Sequence, residues 1–261
     1  MEFETLLYSK STDGIVKITI NRPEVRNVMN NMVRREIKQA VEAIQKDDSV
    51  RLVIFTGVEK SFIAGADISD FLPMNPIKAD EFVQTLGQHL YASLEQINAP
   101  VIAMINGYCF GAGMELALCC DMRIASTNAK FGQLEINVGL IPGGGATQRL
   151  PRLIGVGRAK EMIFTGRIVD AAEAERIGLV DRVVAPEKLE SEVDQIAKAI
   201  VSKSPLLINM AKKSINHGVY TDLAAGLEYE RANFDMVFTT EDRVEGITAF
   251  LEKRPAKFKG K

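Results

Sequence analysis

The sequence VIAMINGYCFGAGMELALCCDMRIAS, residues 101–126, decides the fold class. It begins with VIAMING (101–107), a nearly continuous apolar run that is typical of a strand covered on both faces. A turn of small residues, GAG (111–113), follows, and the apolar segment from about Ala112 predicts a helix. MRIAS (122–126) is the next extended segment. This order of strand, turn, helix and strand indicates an α/β protein whose parallel strands are joined by crossover helices.

The segments before and after this stretch continue the alternation. IVKITI (15–20) and RLVIFTG (51–57) predict strands, and 30–48 has apolar residues at helical spacing, at positions 33, 37, 40, 41 and 44. A second long helix is predicted at about 78–97, and VDRVV (180–184) is predicted as the last strand. Short strands at such intervals can form one flat sheet or stack as a spiral, and the periodicity alone leaves both arrangements open.

After about residue 186 the pattern becomes helical throughout. Four helices are predicted, separated by Pro205, Gly218 and a pair of threonines, at 187–203, 205–218, 222–238 and 242–253. Helices that cannot bury all their apolar faces alone must dock on the body of the protein or on a neighbouring subunit. Oligomerisation is therefore expected.

Composition and charge disfavour several classes of protein. The 261 residues are 46% hydrophobic and 25% charged, and the net charge of −2 argues against a nucleic-acid partner. The three cysteines lie in one apolar stretch and only two histidines are present, which disfavours disulfides and a metal site. The N-terminus has no signal-peptide pattern, and no segment has the ~20 apolar residues of a membrane helix. A cytoplasmic protein without a membrane partner is expected.

Two turns of small residues offer backbone N–H groups to a ligand. AGA (64–66) follows the strand at 51–57, and GAG (111–113) precedes a helix. Without bulky side chains a ligand approaches the backbone closely, and the first N–H groups of a helix have no internal partners. One N–H from each turn would form an oxyanion hole, which stabilises negative charge on one oxygen. For 64–66 the simpler alternative is a tight turn without a ligand.

Two acids stand in apolar surroundings. Glu115 lies in the first turn of its helix among Met, Leu, Ala and Cys residues, and Glu135 lies between Leu134 and Ile136, ahead of the glycine-rich turn at 142–145. Burial raises the pKa of a carboxyl group, which suits proton transfer. For each residue the alternative is an acid in solvent.

Other active-site patterns are absent from the sequence. GGG (143–145) is not followed by Lys-Ser or Lys-Thr, which argues against a P-loop, and no Gly-x-Gly-x-x-Gly opens a helix after an N-terminal strand. There is no Gly-x-Ser-x-Gly, and His89 and His217 stand in contexts typical of structural or exposed residues. Nucleotide binding and serine-hydrolase chemistry are therefore disfavoured.

Taken together, these stretches resemble the crotonase superfamily, and most of all the enoyl-CoA hydratases. The resemblance runs in order over nearly the whole chain, through ITINRPEVRN (18–27), FIAGADI (62–68), INGYCFGAGMELALCCDMRIAS (105–126), FGQLEINVGLIPGGGATQRL (131–150) and EGITAFLEKRPAKF (245–258). It implies an α/β fold in which a spiral of β-β-α units forms the catalytic core, at 1–195. A helical C-terminal trimerisation region follows at 196–261, and a homotrimer or homohexamer is expected.

The resemblance also implies a coenzyme A thioester as the substrate. It places the oxyanion N–H groups on Ala66 and Ala112, and the two acids of the hydratases on Glu115 and Glu135. Contacts with coenzyme A fall on Arg26, Ala64, Gly65, Asp67 and Ile68, and on Phe234 and Lys253 of the same or a neighbouring subunit. Coenzyme A is part of the substrate, and neither a separate cofactor nor a metal is implied.

Three positions depart from the family pattern. Ala112 stands where a middle glycine is common, Leu134 where a proline is common, and Ser69 where many relatives have lysine. None of these changes removes a proposed chemical group. The implied reaction is the reversible hydration of a 2-enoyl-CoA to a 3-hydroxyacyl-CoA. An isomerase of the same superfamily is the nearest alternative, and an RNA-binding or non-catalytic member is a more distant one.

Overall fold

Ten strands form two sheets in the computed structural model, which describes residues 1–261. The strands are β1 Leu6–Lys10, β2 Ile15–Ile20, β3 Leu52–Gly57, β4 Ser61–Ile63, β5 Val101–Ile105, β6 Tyr108–Phe110, β7 Met122–Ser126, β8 Lys130–Gly132, β9 Val169–Asp170 and β10 Arg182–Val184. The larger sheet has the order β1-β2-β3-β5-β7-β10, and only its β1–β2 pair is antiparallel. The smaller sheet has the order β4-β6-β8-β9, and only its β8–β9 pair is antiparallel.

Successive strands alternate between the two sheets. β3, β5 and β7 lie side by side in the larger sheet, and the strands that follow them in the chain, β4, β6 and β8, lie side by side in the smaller one. Each pair of strands therefore advances one step along both sheets before a helix leads to the next pair. The expected spiral of β-β-α units is confirmed, and a single flat sheet is not formed.

Eleven α-helices surround or follow the sheets. They are α1 Asn31–Gln45, α2 Pro76–Phe82, α3 Gln88–Glu95, α4 Ala112–Leu118, α5 Ala146–Ile154, α6 Val156–Thr165, α7 Ala171–Arg176, α8 Leu189–Val201, α9 Pro205–Val219, α10 Leu223–Val237 and α11 Glu241–Leu251. Short 3₁₀ turns occupy Pro23–Val25, Ile68–Asp70, Glu135–Val138 and Pro186–Lys188. None of the helices combines the length and the apolar character needed to cross a membrane.

The first helix, α1, follows from its sequence pattern. Its apolar residues at the predicted spacing, Val33, Ile37, Ala40, Val41 and Ile44, are all buried. The side chain of the residue before it, Asn30, accepts a hydrogen bond from the backbone N–H of Val33 at 3.0 Å, which satisfies one of the free donors at the helix start.

The helix predicted at about 78–97 forms with an interruption. It begins at Pro76 as α2 and ends at Glu95 as α3, and a π-helical turn at Val83–Gly87 lies between them. Such a turn inserts an extra residue into the helix and often occurs at functional sites. Residues on both sides of it line the cavity described below.

The larger sheet is covered on both faces. All six residues of β3 are buried. On one face, Leu52 and Ile54 belong to a cluster that includes Leu189 and Val193 of α8, and the main core lies on the other. The helix α8 runs through position 195 and joins the spiral to the helices that follow. The four helices predicted after residue 186 are confirmed as α8 to α11.

Candidate active site

A cavity of about 530 Å³ lies where the two turns of small residues meet the glycine-rich turn. Fifteen of the 25 residues that line it are hydrophobic. Its charged or polar side chains are few: Arg34, Gln88, Tyr91, Glu115 and Glu135. An apolar cavity with a small number of convergent polar groups is the usual form of a site for a small molecule.

The first turn, at 64–66, directs one N–H toward this cavity. Met29 donates its N–H to the carbonyl of Gly65 at 2.8 Å, and Asp67 donates its N–H to the carbonyl of Met29 at 3.0 Å. In a parallel pairing the residue between two bonded neighbours points its N–H the other way. Ala66 is that residue, it lines the cavity, and its N–H donates to no protein acceptor.

The second turn brings the start of α4 beside the first. Gly111 has φ +47°, which only glycine adopts easily, and its N–H donates to the carbonyl of Gly132 at 2.9 Å. A Cβ at Gly113 would lie 2.4 Å from the carbonyl oxygen of Ile63, so α4 packs directly against β4. Ala112 is the first residue of α4, where an N–H has no partner inside the helix. Ala112 also lines the cavity.

Glu115 is a buried carboxylate, with 5% of its surface exposed. Its Oε1 accepts hydrogen bonds from the N–H groups of Gly144 at 2.7 Å and Ala146 at 3.3 Å. Burial raises the pKa of Glu115, while these two bonds, Arg34 and Arg149 oppose the rise. The positive N-terminal end of α5 also favours the charged form. The other oxygen, Oε2, has no hydrogen-bond partner in the protein.

Glu135 packs against Gly111, the residue that precedes α4. A Cβ added to Gly111 would lie 3.1 Å from Glu135 Oε1. With its amide oriented by its hydrogen-bond network, the buried Gln133 donates to Glu135 Oε1 and Oε2 at 2.9 and 3.0 Å. Burial, together with the charge of Glu115, raises the pKa of Glu135 to about 7, and a hydrogen bond with the backbone of Glu135 itself opposes that rise.

The structure brings together most of the residues predicted from the sequence. Both acids, both alanines, Ala64, Gly65 and Ile68 line the same cavity. Arg26 lies just outside it, where its carbonyl accepts a hydrogen bond from the Ala64 N–H at 3.3 Å. Asp67 also lies outside, and its Oδ1 accepts from the Ser69 N–H at 3.2 Å.

Phe234 and Lys253 do not reach the cavity within one chain. Phe234 is exposed on α10, with its ring centroid 5.2 Å from that of Phe238. Lys253 is exposed just after α11 and has φ +56°. A contact of either residue with coenzyme A at this cavity would have to come from another subunit.

Several side chains that support the site were not predicted. Tyr91 is fully buried, donates its hydroxyl to the Ala112 carbonyl at 3.0 Å and accepts from Arg34 at 3.3 Å. Glu95 and Arg149 form an ion pair behind the glycine-rich turn, and Gln133 holds Glu135. None of these residues belongs to a local pattern, because their partners are distant in the chain.

No three His, Cys, Asp or Glu side chains form a group that could hold a metal ion. The three cysteines, Cys109, Cys119 and Cys120, are buried free thiols, and burial raises the pKa of each. His89 is exposed, and His217 stacks on Tyr229 with ring centroids 4.3 Å apart. The acid–base groups of the cavity are therefore its two carboxylates and Tyr91, whose pKa burial raises.

Known proteins resemble this chain in sequence and in fold. The sequence profile of the enoyl-CoA hydratase/isomerase family matches residues 10–261. The chain is 46% identical to a crotonyl-CoA hydratase of Syntrophomonas wolfei, with 99% of each chain covered, and 44% identical to a short-chain-enoyl-CoA hydratase of Clostridium acetobutylicum, with 97% of each covered. An enoyl-CoA hydratase of Bacillus anthracis superposes with a TM-score of 0.94 at 40% identity, over 99% of this chain and 100% of that one. The chain therefore belongs to the enoyl-CoA hydratase/isomerase family.

Proposed function

We propose that this protein catalyses the reversible hydration of a short-chain 2-enoyl-CoA to the 3-hydroxyacyl-CoA. The observation that carries the proposal is the meeting of two carboxylates, Glu115 and Glu135, with the unpaired backbone N–H groups of Ala66 and Ala112 in one apolar cavity. The names of the relatives from S. wolfei and C. acetobutylicum support the same reaction and the short acyl chain.

The backbone donors polarise the substrate. The thioester oxygen accepts hydrogen bonds from Ala66 and Ala112, which draws electrons from the conjugated double bond and makes the β-carbon electrophilic. As water attacks, negative charge develops on this oxygen, and each N–H becomes a stronger partner. One backbone donor of this kind contributes about 3–4 kcal/mol to the stabilisation of the transition state. The methyl group of Ala112 leaves its N–H free for this role.

The two acids divide the proton transfers. Glu115 is the base: its Oε1 is held by two N–H groups, and Oε2 is free to accept a proton from water. The hydroxyl bonds to the β-carbon as the O–H bond breaks. Glu135 gives its proton to the α-carbon, for which a pKa raised to about 7 is suited. Afterwards Glu115 is protonated and Glu135 ionised, and exchange with solvent restores both.

The coenzyme A moiety of the substrate binds at the mouth of this cavity. Ala64, Gly65 and Ile68 lie at the cavity, with Arg26 and Asp67 next to them. Phe234 and Lys253 approach from a neighbouring subunit of a homotrimer or homohexamer, which the helical region 196–261 assembles around the catalytic core at 1–195. The reaction needs no cofactor besides the coenzyme A of the substrate, and the enzyme acts in the cytoplasm.

Substitution of the two acids tests the proposal. We expect Glu115→Gln and Glu135→Gln each to lower kcat for crotonyl-CoA by about 10²- to 10⁴-fold, since each removes one proton transfer. Both variants should still bind a non-reacting acyl-CoA with the parent's Kd, measured by calorimetry. Parental hydration rates in both variants would refute the assignment of the two acids.

A different substrate distinguishes the proposed hydratase from an isomerase of the same family. Moving a double bond needs one group that removes and returns a proton, whereas two acids in one cavity favour the addition of water. Given a 3-enoyl-CoA, a hydratase should release little product. Rapid formation of the 2-enoyl-CoA before any 3-hydroxyacyl-CoA would favour the isomerase instead.

A further inference from the structure

An ion pair links α3 to α5 behind the turn that holds Glu115. Arg149 donates through Nε to Glu95 Oε1 at 2.7 Å and through Nη2 to Glu95 Oε2 at 2.9 Å. Both side chains are largely enclosed, with 16% of the arginine and 25% of the glutamate side chain exposed. A two-point contact between a planar guanidinium and a carboxylate fixes direction as well as distance.

The third guanidinium nitrogen of Arg149 reaches the glycine-rich turn. Its Nη1 donates to the carbonyl of Gly144 at 3.1 Å. The N–H of this same Gly144 donates to Glu115 Oε1 at 2.7 Å, the shorter of the two bonds to that carboxylate. The chain of contacts thus runs from Glu95 through Arg149 and Gly144 to Glu115. It joins residues 54 positions apart in the sequence to a group of the active site.

The turn itself is shaped to receive the guanidinium. Gly145 has φ +112°, and a Cβ at this position would lie 2.1 Å from Arg149 Nη1. On the other side, a Cβ at Gly144 would lie 2.2 Å from the ring of Tyr91 and 2.6 Å from Glu115 Oε2. The Gly144 peptide is therefore held between Arg149 on one side and Tyr91 with Glu115 on the other.

We propose that the Glu95–Arg149 pair is a positioning device for Glu115, which acts by fixing the Gly144 peptide and so the direction of the base. The proposal rests on the hydration function assigned above. Neither residue touches the substrate cavity, so neither is a catalytic residue. A displacement of about 1 Å in a reacting group can cost 10²-fold in rate, so a support of this kind is visible in kcat.

A purely electrostatic role for Arg149 makes a different prediction. Other charged or titratable groups also surround these two residues: Arg34, Tyr91, Cys119 and Glu135 near Glu115, and Glu95, Cys119 and Tyr220 near Arg149, with Arg152 beside Tyr220. If Arg149 acted only through its charge, Arg149→Lys would leave Glu115 unchanged. Glu95→Gln would then lower the pKa of Glu115, because the positive charge of Arg149 would be less balanced.

The experiment compares Arg149→Lys, Glu95→Gln and the double variant with the parent enzyme on crotonyl-CoA. Lysine keeps the charge but lacks the planar fork. Positioning predicts that both single variants lose about 10- to 100-fold in kcat with little change in KM. Weakening the Gly144 bond raises the pKa of Glu115, so the acidic limb of kcat should move to higher pH in both. The double variant should lose no more kcat than the more impaired of the two single variants, because the two residues act as one unit.

The pair Arg167–Glu173 supplies matched controls. It is also a two-point contact, made here through Nη1 and Nη2 at 3.0 and 2.9 Å, with 29% and 27% of the side chains exposed, and it does not touch the cavity. Arg167→Lys and Glu173→Gln should keep the parental kcat and pH profile. Parental kcat and an unmoved acidic limb in both Arg149→Lys and Glu95→Gln would overturn the inference. A parent that fails to hydrate crotonyl-CoA would overturn the proposed function and the inference with it.

Discussion

In the proposed mechanism, two residues of the same type take different roles because their surroundings differ. Glu115 and Glu135 both lie in apolar surroundings, but two backbone N–H groups hold Oε1 of Glu115, and both Arg34 and Arg149 favour its charge. Burial raises the pKa of both carboxyl groups, but no arginine opposes this rise at Glu135, and the nearby charge of Glu115 makes the ionisation of Glu135 harder still. These differences favour Glu115 as the base and Glu135 as the acid of the proposed reaction.

The pH dependence of the reaction follows from these two environments. Hydration needs Glu135 protonated, so kcat/KM for crotonyl-CoA should fall as the pH rises through about 7, the value to which its pKa is raised. In the dehydration direction Glu135 must be ionised and Glu115 protonated, so the pair again carries one proton. Because the reaction takes up no net proton, kcat/KM for dehydration should fall with rising pH through the same transition. Initial rates in both directions across the pH range measure this. A hydration rate that stays constant through neutral pH would contradict the acid role of Glu135.

At the scale of elements, the turn before α5 makes several of the contacts that shape the site. It supplies the Gly144 N–H to Glu115, accepts Arg149 at its carbonyl and packs against Tyr91. A second turn, at Gly111, meets Glu135 and begins α4. Both turns need glycine for space or for backbone conformation, and both precede a helix whose N-terminus faces the cavity.

Two neighbouring glycines of that turn differ in the space available for a side chain. Gly144→Ala would place a methyl group 2.2 Å from Tyr91 and 2.6 Å from Glu115 Oε2, so we expect a loss of about 1–3 kcal/mol in the free energy of unfolding and a marked loss of kcat. At Gly143 a Cβ would meet only Val83 Cγ2 at 3.6 Å, an ordinary contact, so Gly143→Ala should leave stability nearly unchanged. Denaturant unfolding of the two variants checks this. Equal stabilities would contradict the packing seen at Gly144.

The length of an element decides how far sequence predicts it. All five predicted apolar positions of α1 are buried, because a long helix repeats its pattern several times. The strands β4, β6 and β8 have three residues each, too few to show alternation, and neither β4 nor β6 is predicted as a strand from the sequence. The interruption at Val83–Gly87 has no signal in the spacing either.

The residues of the candidate site likewise fall into those that local sequence predicts and those that it does not. Glu115, Glu135 and the two turns were predicted because each carries a local contrast, an acid among apolar residues or a run of small residues after a strand. Tyr91, Glu95, Gln133 and Arg149 were not predicted. Their contribution depends on pairings such as Glu95 with Arg149, which only the folded chain brings into contact.

At the scale of the whole molecule, the C-terminal helices leave apolar surface uncovered. On α11, Val244, Ile247 and Leu251 follow at intervals of three and four residues and are 51%, 51% and 74% exposed. This spacing places them on one face of the helix. Exposed apolar residues in such a stripe mark a surface that another protein covers. The same helical region carries Phe234 and Lys253, which do not reach the cavity of their own chain.

We therefore expect the protein in solution to have three or six times the 28.7 kDa mass of one chain, measured by light scattering or sedimentation. Ile247→Glu places a charge in the middle of the stripe on α11 and should shift the protein toward monomers. Because Ile247 is half exposed in the single chain, this variant should still fold. Leu7→Glu, at a similarly exposed position on β1, serves as the control and should keep the parental mass. If Phe234 and Lys253 serve a neighbour's cavity, the dissociated variant must also bind acyl-CoA more weakly, and a monomer with parental affinity would show that each chain binds its substrate alone.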